Sequence, residues 1–453
     1  MTEAFRVDGR RVLVVGAARS GLAAAALLVR RGARVTLADS RTAIAEDAAL
    51  RALGITVELG PHRLDTFLGA ELIVTSPGVP LEIEPIARAR QAGVPVVGEL
   101  ELASRWLRGR VVAITGTKGK STTTTLVGRM LEASGRRVLV GGNIGVPLSA
   151  QVDASTSDTL HIVEASSFQL ETTETFHPWI AALLNLSPDH LDRHPSEAAY
   201  AQAKARVFAN QGPDDWTVVN AESAGALALA AGSRGRLVRY AVEAPLETGV
   251  YVEGGVIWQR TSEGAVPLVP LSAVQVSGRH MLGNVVAASA ISHLAGAAPA
   301  DLAAGLAGFT GLEHVMEPVA TVGGVRFVND SKATNVDAAA RSIESFDGVV
   351  AIVGGRYKGG RFEDLRGPLA AHGRAVIAIG ESASQVAAAV DGIVPVETAG
   401  SMGEAVRRAA ALAAPGGVVL LAPACSSFDM FESYDARGRA FKEEVARLRE
   451  RSP

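Results

Sequence analysis

Short runs rich in Val, Ile and Leu alternate with Ala-rich helical stretches along nearly the whole chain, and most of the runs empty into a glycine or polar motif. A strand that is apolar on both faces has to be covered on both, which is what helices on either side of a parallel sheet do. Arg11 to Val15, Val35 to Ala38 and Leu72 to Thr75 read as strands of a first unit. Val111 to Thr115, Leu160 to Val163, Ala181 to Leu184 and Thr217 to Val219 read as a second, and Val325 to Val328, Val349 to Val353, Val376 to Ile379 and Val418 to Leu421 as a third. Val250 to Val276, with Gly254-Gly255 at a turn, reads as antiparallel strands added to the central sheet. The fold class is α/β in three domains, each a mostly parallel sheet flanked by helices, over residues 1–98, 99–311 and 312–453.

Composition removes several classes of function. A hydrophobic fraction of 48% and a charged fraction of 20% suit buried cores. A net charge of -3 without a basic arm argues against nucleic acid as a partner. No apolar stretch approaches the ~20 residues of a membrane span, so no membrane partner is expected. The lone cysteine, Cys425, has nothing to pair with and reads as a packing residue, and no signal-like segment is visible, so a cytoplasmic location is expected.

The second unit carries a phosphate cradle. Its first strand runs into Thr115-Gly116-Thr117-Lys118-Gly119-Lys120-Ser121-Thr122, and a helix follows through Leu126 to Leu131. Glycines let backbone N–H groups converge on phosphate oxygens, the helix N-terminus adds its dipole, Lys120 adds charge and the Ser121 hydroxyl suits Mg²⁺. The full P-loop pattern would place a glycine where Ile114 stands. Glu164 and Asp189-His190 follow the next two strands, so a carboxylate and an imidazole arrive beside the loop, where they could help hold Mg²⁺. Lys204 shares a helical stripe with Tyr200, Val207 and Phe208 that should face the core. A lysine there must snorkel, pair with an anion or be modified.

In the first unit Gly16-Ala17-Ala18-Arg19-Ser20-Gly21 follows a strand and opens a helix, and Asp39 ends the next strand. This is a dinucleotide-type fingerprint without its second glycine, with Asp39 placed to hold a ribose hydroxyl. A nicotinamide cofactor, a nucleotide-capped substrate and a purely structural turn all fit it. Ser76-Pro77-Gly78 closes a later strand of the same unit.

The phosphate loop, Gly141-Gly142-Asn143-Ile144-Gly145, Glu164-Ala165-Ser166-Ser167-Phe168-Gln169-Leu170-Glu171, Asp189-His190-Leu191-Asp192-Arg193 and Asn329-Asp330-Ser331-Lys332-Ala333-Thr334-Asn335 together resemble the Mur ligases, most of all those that add D-glutamate. The resemblance implies an N-terminal Rossmann-like domain for a UDP-linked substrate, a central P-loop ATPase-like domain, and a C-terminal Rossmann-like domain that closes over ATP and brings the amino acid. It implies a monomer using ATP and Mg²⁺ to join UDP-N-acetylmuramoyl-L-alanine and D-glutamate through an acyl phosphate. Sister ligases, an L-glutamate-adding variant and folylpolyglutamate synthetase are the alternatives. By the same resemblance Gly16, Ser20, Gly21, Asp39, Ser40, Arg41, Ser76, Pro77, Gly78 and Asn143 hold the UDP-substrate. Gly116, Thr117, Lys118, Gly119, Lys120, Ser121, Thr122, His280, Asn284 and Asp330 hold ATP. Ser121, Glu164, His190 and a carbamylated Lys204 serve the metal; Lys120, Glu164, His190, Lys204 and Lys332 support catalysis. Thr334, Lys358, Ser427 and Tyr434 take the amino acid, with Tyr434 replacing a more usual phenylalanine.

Val315 stands where these ligases usually carry an arginine directed at ATP phosphate, and a valine cannot donate to phosphate. Lys118 and Arg356 are the candidates to supply the missing cation. If either does, its change to Ala raises the KM for ATP; unchanged constants in both Lys118→Ala and Arg356→Ala would remove both from that role.

Overall fold

Segments such as Arg11–Val15, buried at every position after the first, become interior strands because both of their faces are covered. The computed structural model describes residues 5–190, 193–276, 278–357 and 360–451, which divide into two compact units on either side of Phe309 and Thr310.

The first unit holds two sheets. One has β1 (Arg11–Val15), β2 (Arg34–Asp39), β3 (Thr56–Leu59), β4 (Leu72–Thr75) and β5 (Val96–Gly98), all parallel, in the order β3-β2-β1-β4-β5. Separate apolar clusters cover its two faces, one around Val12, Val14 and Leu37 and one around Leu13, Val15 and Ile73. The strand order reverses between β1 and β4, and such a switch point opens a crevice at the strands' carboxyl ends.

The second sheet has nine strands: β6 (Arg110–Thr115), β7 (Arg137–Gly142), β8 (Thr159–Glu164), β9 (Ile180–Leu183), β10 (Trp216–Asn220), β11 (Arg236–Ala241), β12 (Gly249–Glu253), β13 (Val256–Thr261) and β14 (Gly264–Pro270). Their order is β14-β13-β12-β11-β10-β9-β6-β8-β7. The expected hairpin lies at Gly254-Gly255 between β12 and β13, although β12 itself joins β11 in parallel. The helix after β6 runs over Lys120–Ala133, longer than the apolar run alone indicates, because left-handed Gly119 (φ +80°) starts it. It meets the helix Pro299–Leu306 at Gly305, where an added Cβ would fall 2.6 Å from the Cα of Met130.

The second unit is built on β15 (Glu317–Val322), β16 (Val325–Asn329), β17 (Val349–Gly354), β18 (Gly373–Ile379), β19 (Val396–Ala399) and β20 (Val418–Leu421), ordered β15-β16-β20-β17-β18-β19. Only β15 runs antiparallel to its neighbour. Cys425 is fully buried in one of its two cores.

The helix Glu99–Ser104 leads from the first sheet to the second, and its buried Glu101 ties it down. The carboxylate accepts the backbone N–H groups of Glu174 (2.8 Å), Thr175 (3.0 Å) and Phe176 (3.0 Å), the Thr175 hydroxyl (2.6 Å) and Arg105 Nε (2.8 Å). Burial pushes its pKa up, but the hydrogen bonds outweigh it and leave the group below the ordinary glutamate value. A carboxyl whose folded pKa is depressed stabilises the fold above its unfolded pKa and loses that effect as pH falls through the folded value. Glu101→Gln should therefore cost about 2–3 kcal/mol at pH 7. Thermal melts of the two proteins should converge as the pH drops below the glutamate range; a constant gap down to acid pH would contradict the assignment.

Candidate active site

Three adjacent strands, β8, β6 and β9, end side by side, and each delivers polar groups to the same edge. From β6 comes the phosphate loop. Gly116 takes φ +150° against Leu184 and Asn185, and Gly119 is close enough to Asn284 that an added Cβ would meet its Oδ1 at 2.2 Å. Asn284 thus stands at the loop, whereas His280, in the first turn of the same helix, is exposed. Lys118 is exposed, Ser121 lies in the first helical turn, and Thr122 is buried.

Asn185, just after β9, staples the loop. Its Oδ1 accepts the N–H groups of Thr117 (3.1 Å) and Lys118 (2.9 Å), and its Nδ2 donates to Lys118 O (3.0 Å). Thr117 Oγ1 donates to Ser187 O, accepts Ser187 N–H, and lies 3.1 Å from the Tyr200 hydroxyl. Neither Asn185 nor Tyr200 carries a motif of its own in the sequence; an asparagine two positions past the end of β9 is the signal that marks the first.

Lys120 Nζ donates to Gly116 O (3.0 Å) and Thr117 O (2.9 Å). Lys204 reaches the same Gly116 carbonyl at 2.8 Å from the helix Glu197–Ala205, whose N-terminus is capped by Ser196. Only 2% of Lys204 is exposed, so it does not snorkel. Burial first, and then the charge of Lys120, pull its ammonium down to about 7, against the upward pull of Asp189 and Glu164.

From β8 comes Glu164, buried at the strand's last position. Asn143 donates its backbone N–H to Glu164 O (2.8 Å) and its Nδ2 to Oε1 (2.7 Å). Oε2 is buried and has no hydrogen-bond partner among the described residues. An orphaned carboxylate oxygen is costly, and a hard divalent cation suits it. His190 takes left-handed backbone (φ 54°), a cost that non-glycine residues tend to bear at functional sites, and its ring stands 4.9 Å from that of Phe168. Arg193 covers Phe168 and donates to Gly78 O (3.2 Å).

At the first sheet's switch point, Ser76 Oγ donates to Gly16 O (2.8 Å), and a Cβ on Gly21 would fall 1.8 Å from the same oxygen. The turn is shut tightly beneath the crevice. Asp39 is engaged already: Ala17 N–H donates to Oδ2 (2.6 Å), and Arg41 donates Nε to Oδ1 (2.8 Å) and Nη2 to Oδ2 (2.9 Å). The Arg41 guanidinium holds this carboxyl far below the usual range. Ser20 lies in the first turn of the helix Arg19–Arg30, Ser40 is exposed, and Pro77 lines the cleft between Ser76 and Phe168.

In the second unit Asp330 accepts from Met316 N–H (3.1 Å) and the Ser342 hydroxyl, and burial pushes its carboxyl up despite them. Lys332 and Thr334 follow on the same loop, and Ser427 is buried on a second. Buried Arg437 joins the two loops, donating to Ser331 Oγ (3.0 Å), Ser331 O (2.9 Å) and Cys425 O (3.1 Å). Tyr434 O accepts from Ser331 Oγ (2.8 Å), which places this residue beside the same loop. Arg356 is paired with Glu381 at 3.0 Å, and Lys358 lies outside the described residues.

The chain matches the Mur ligase MurD-like N-terminal domain over residues 10–98, the Mur ligase middle domain over 114–292 and the Mur ligase glutamate ligase domain over 316–425. It is 47% identical to the UDP-N-acetylmuramoylalanine--D-glutamate ligase of Acidobacterium capsulatum, with 97% of each chain covered. The enzyme of the same name from Anaeromyxobacter dehalogenans is also 47% identical, over 96% of this chain and 97% of its own. Among solved structures, the UDP-N-acetylmuramate-alanine ligase of Thermotoga maritima shares the fold, with a TM-score of 0.58 at 18% identity over 97% of this chain and 99% of its own.

If Asn185, by holding Thr117 and Lys118 from both sides, keeps the loop in the shape that binds phosphate, Asn185→Ala should raise the dissociation constant for ATP about tenfold, the equivalent of roughly 1.4 kcal/mol. Titration calorimetry reads this directly, and unchanged affinity would leave Asn185 no more than a turn residue.

Proposed function

This chain belongs to the Mur ligase family, and from that premise we propose that it adds D-glutamate to UDP-N-acetylmuramoyl-L-alanine with ATP, in the synthesis of a peptidoglycan precursor. Near-full-length identity to ligases of that name carries the assignment. A carboxylate is a poor acyl donor. Moving the γ-phosphoryl group of ATP onto the L-alanine carboxylate breaks the β,γ P–O bond and forms an acyl phosphate with a good leaving group. Attack by the D-glutamate amine then forms the amide, releases phosphate and sheds a proton. Negative charge gathers in both steps, so what a protein supplies is alignment and positive charge.

The first unit has residues suited to this. The phosphate loop from Gly116 to Thr122 offers backbone N–H groups, with Lys120 beside them. Asn284 and His280 would serve the nucleoside side of ATP, Asp330 its nucleotide side and Lys332 its phosphate side. Asn143 and the turns at Gly16–Gly21, Asp39–Arg41 and Ser76–Gly78 would receive the UDP-linked substrate. Thr334, Lys358, Ser427 and Tyr434 would receive D-glutamate. Glu164, whose Oε2 has no hydrogen-bond partner among the described residues, together with His190 and Ser121 would hold Mg²⁺, which when bound would neutralise charge on phosphate oxygens.

Lys204 fits carbamylation, because a neutral amine is what adds to CO₂, and an amine with a pKa of about 7 is about half neutral at pH 7, where an ordinary lysine is almost wholly charged. The C–N bond forms as the amine loses a proton, turning a would-be cation into a carboxylate near Lys120.

Phosphate release should require UDP-N-acetylmuramoyl-L-alanine together with D-glutamate; release only with L-alanine, meso-diaminopimelate, L-glutamate or a folate would replace the assignment by one of its relatives. Lys204→Ala should lower kcat by roughly 10²–10³ and recover in part with short carboxylates such as acetate. In ¹³C-bicarbonate the wild-type carbamate signal should grow as pH rises through about 7; its absence at every pH would exclude the modification.

A further inference from the structure

His161 is fully buried within β8, three residues before Glu164, and no step above uses it. Both ring nitrogens are engaged: Nε2 lies 2.8 Å from Ser155 Oγ, and Nδ1 lies 3.2 Å from Gln151 Oε1. The neighbours decide where the proton sits. Ser155 Oγ already accepts the N–H groups of Arg108 (2.9 Å) and Gly109 (3.2 Å), so its own hydrogen goes to His161 Nε2. Gln151 Oε1 can only accept, so Nδ1 carries the ring's hydrogen. The imidazole is therefore neutral and held in one tautomer. Burial, which pulls it down to about 4, agrees.

The bond from Nδ1 orients the Gln151 amide. Gln151 Nε2 donates to Val140 O (3.0 Å) and Val146 O (3.4 Å), the two ends of the turn that carries Asn143. An amide flipped by half a turn would set its oxygen against both carbonyl oxygens and its nitrogen against the Nδ1 hydrogen. Gly141 makes room for the clamp, since a Cβ there would fall 2.2 Å from Gln151 Nε2 and 2.2 Å from Val146 O. Gly142 N–H closes the turn onto Val146 O (3.1 Å), and Asn143 then reaches the backbone and side chain of Glu164.

The structure assigns His161 the part of a positioning residue: through Gln151 it fixes the turn that presents Asn143, and so sets the affinity for the UDP-linked substrate. This rests on the reading that Asn143 contacts that substrate. In the full-length enzyme, His161→Leu and Gln151→Met should each raise the KM for UDP-N-acetylmuramoyl-L-alanine about tenfold, and the KM for ATP, which feels the turn only through Glu164, by several-fold less. His161→Asn, which keeps an N–H donor for Gln151, should recover most of the loss. Hydrogen exchange at the Gly142 and Asn143 amides should be about tenfold faster in the first two variants and return toward wild type in the third. If His161→Leu does not fold, Gln151→Met decides.

Folded variants with unchanged exchange, or with KM rising equally for both substrates, would overturn the assignment. A wild-type protein inactive toward the UDP-substrate would count against the proposed function alone, and the exchange measurement would still decide whether His161 holds the turn.

Discussion

The carbonyl oxygen of Gly116 accepts from two lysine amines, Lys120 at 3.0 Å and Lys204 at 2.8 Å. Burial and the charge of Lys120 pull the Lys204 amine down to about 7, and negative charge arriving nearby would relieve the repulsion between the two amines when both are protonated. A triphosphate bound in the loop would supply that charge, and so would a carbamate on Lys204. The rest of the central site is arranged around this tension. Asn185 and Thr117 fix the shape of the loop, and Glu164, at the next strand end, keeps one oxygen without a hydrogen bond among the described residues.

Interior strands were legible in the sequence because their burial on both faces demands unbroken apolar runs. The strands it left out are mostly those at sheet edges: β3 and β5 in the first sheet, β7 in the second, β15 and β19 in the third. An edge strand is wetted on one side and can carry polar residues, as in the Thr-Val-Glu-Leu of β3. The inward stripe of Lys204 could be read from helical spacing; its hydrogen bond to Gly116 could not, because that depends on how a helix 88 residues away in sequence meets the loop. Asp39 shows the converse. Its place after a strand was plain, but Arg41, two residues on, already occupies both of its oxygens.

The second unit solves a similar problem with a different device. Arg437 is buried without a carboxylate partner in hydrogen-bonding reach among the described residues, and two backbone carbonyls and a hydroxyl satisfy its guanidinium instead. Burial pulls it down to about 10, which still leaves it charged at neutral pH. The planar fork spans Ser331 and Cys425, a reach that the point charge of a lysine would not reproduce. Two loops that differ in length and composition are thereby kept in a fixed register with each other.

The closed turn at Gly16, Gly21 and Ser76 bears on how this chain can vary over time. What stands 1.8 Å from any side chain added to Gly21 is main chain, which no substitution elsewhere can trim away. A clash with a side chain can be cured by shrinking the neighbour, so such positions drift in pairs. Here drift has no partner, and descendants of this sequence are expected to keep that glycine even where everything around it has changed.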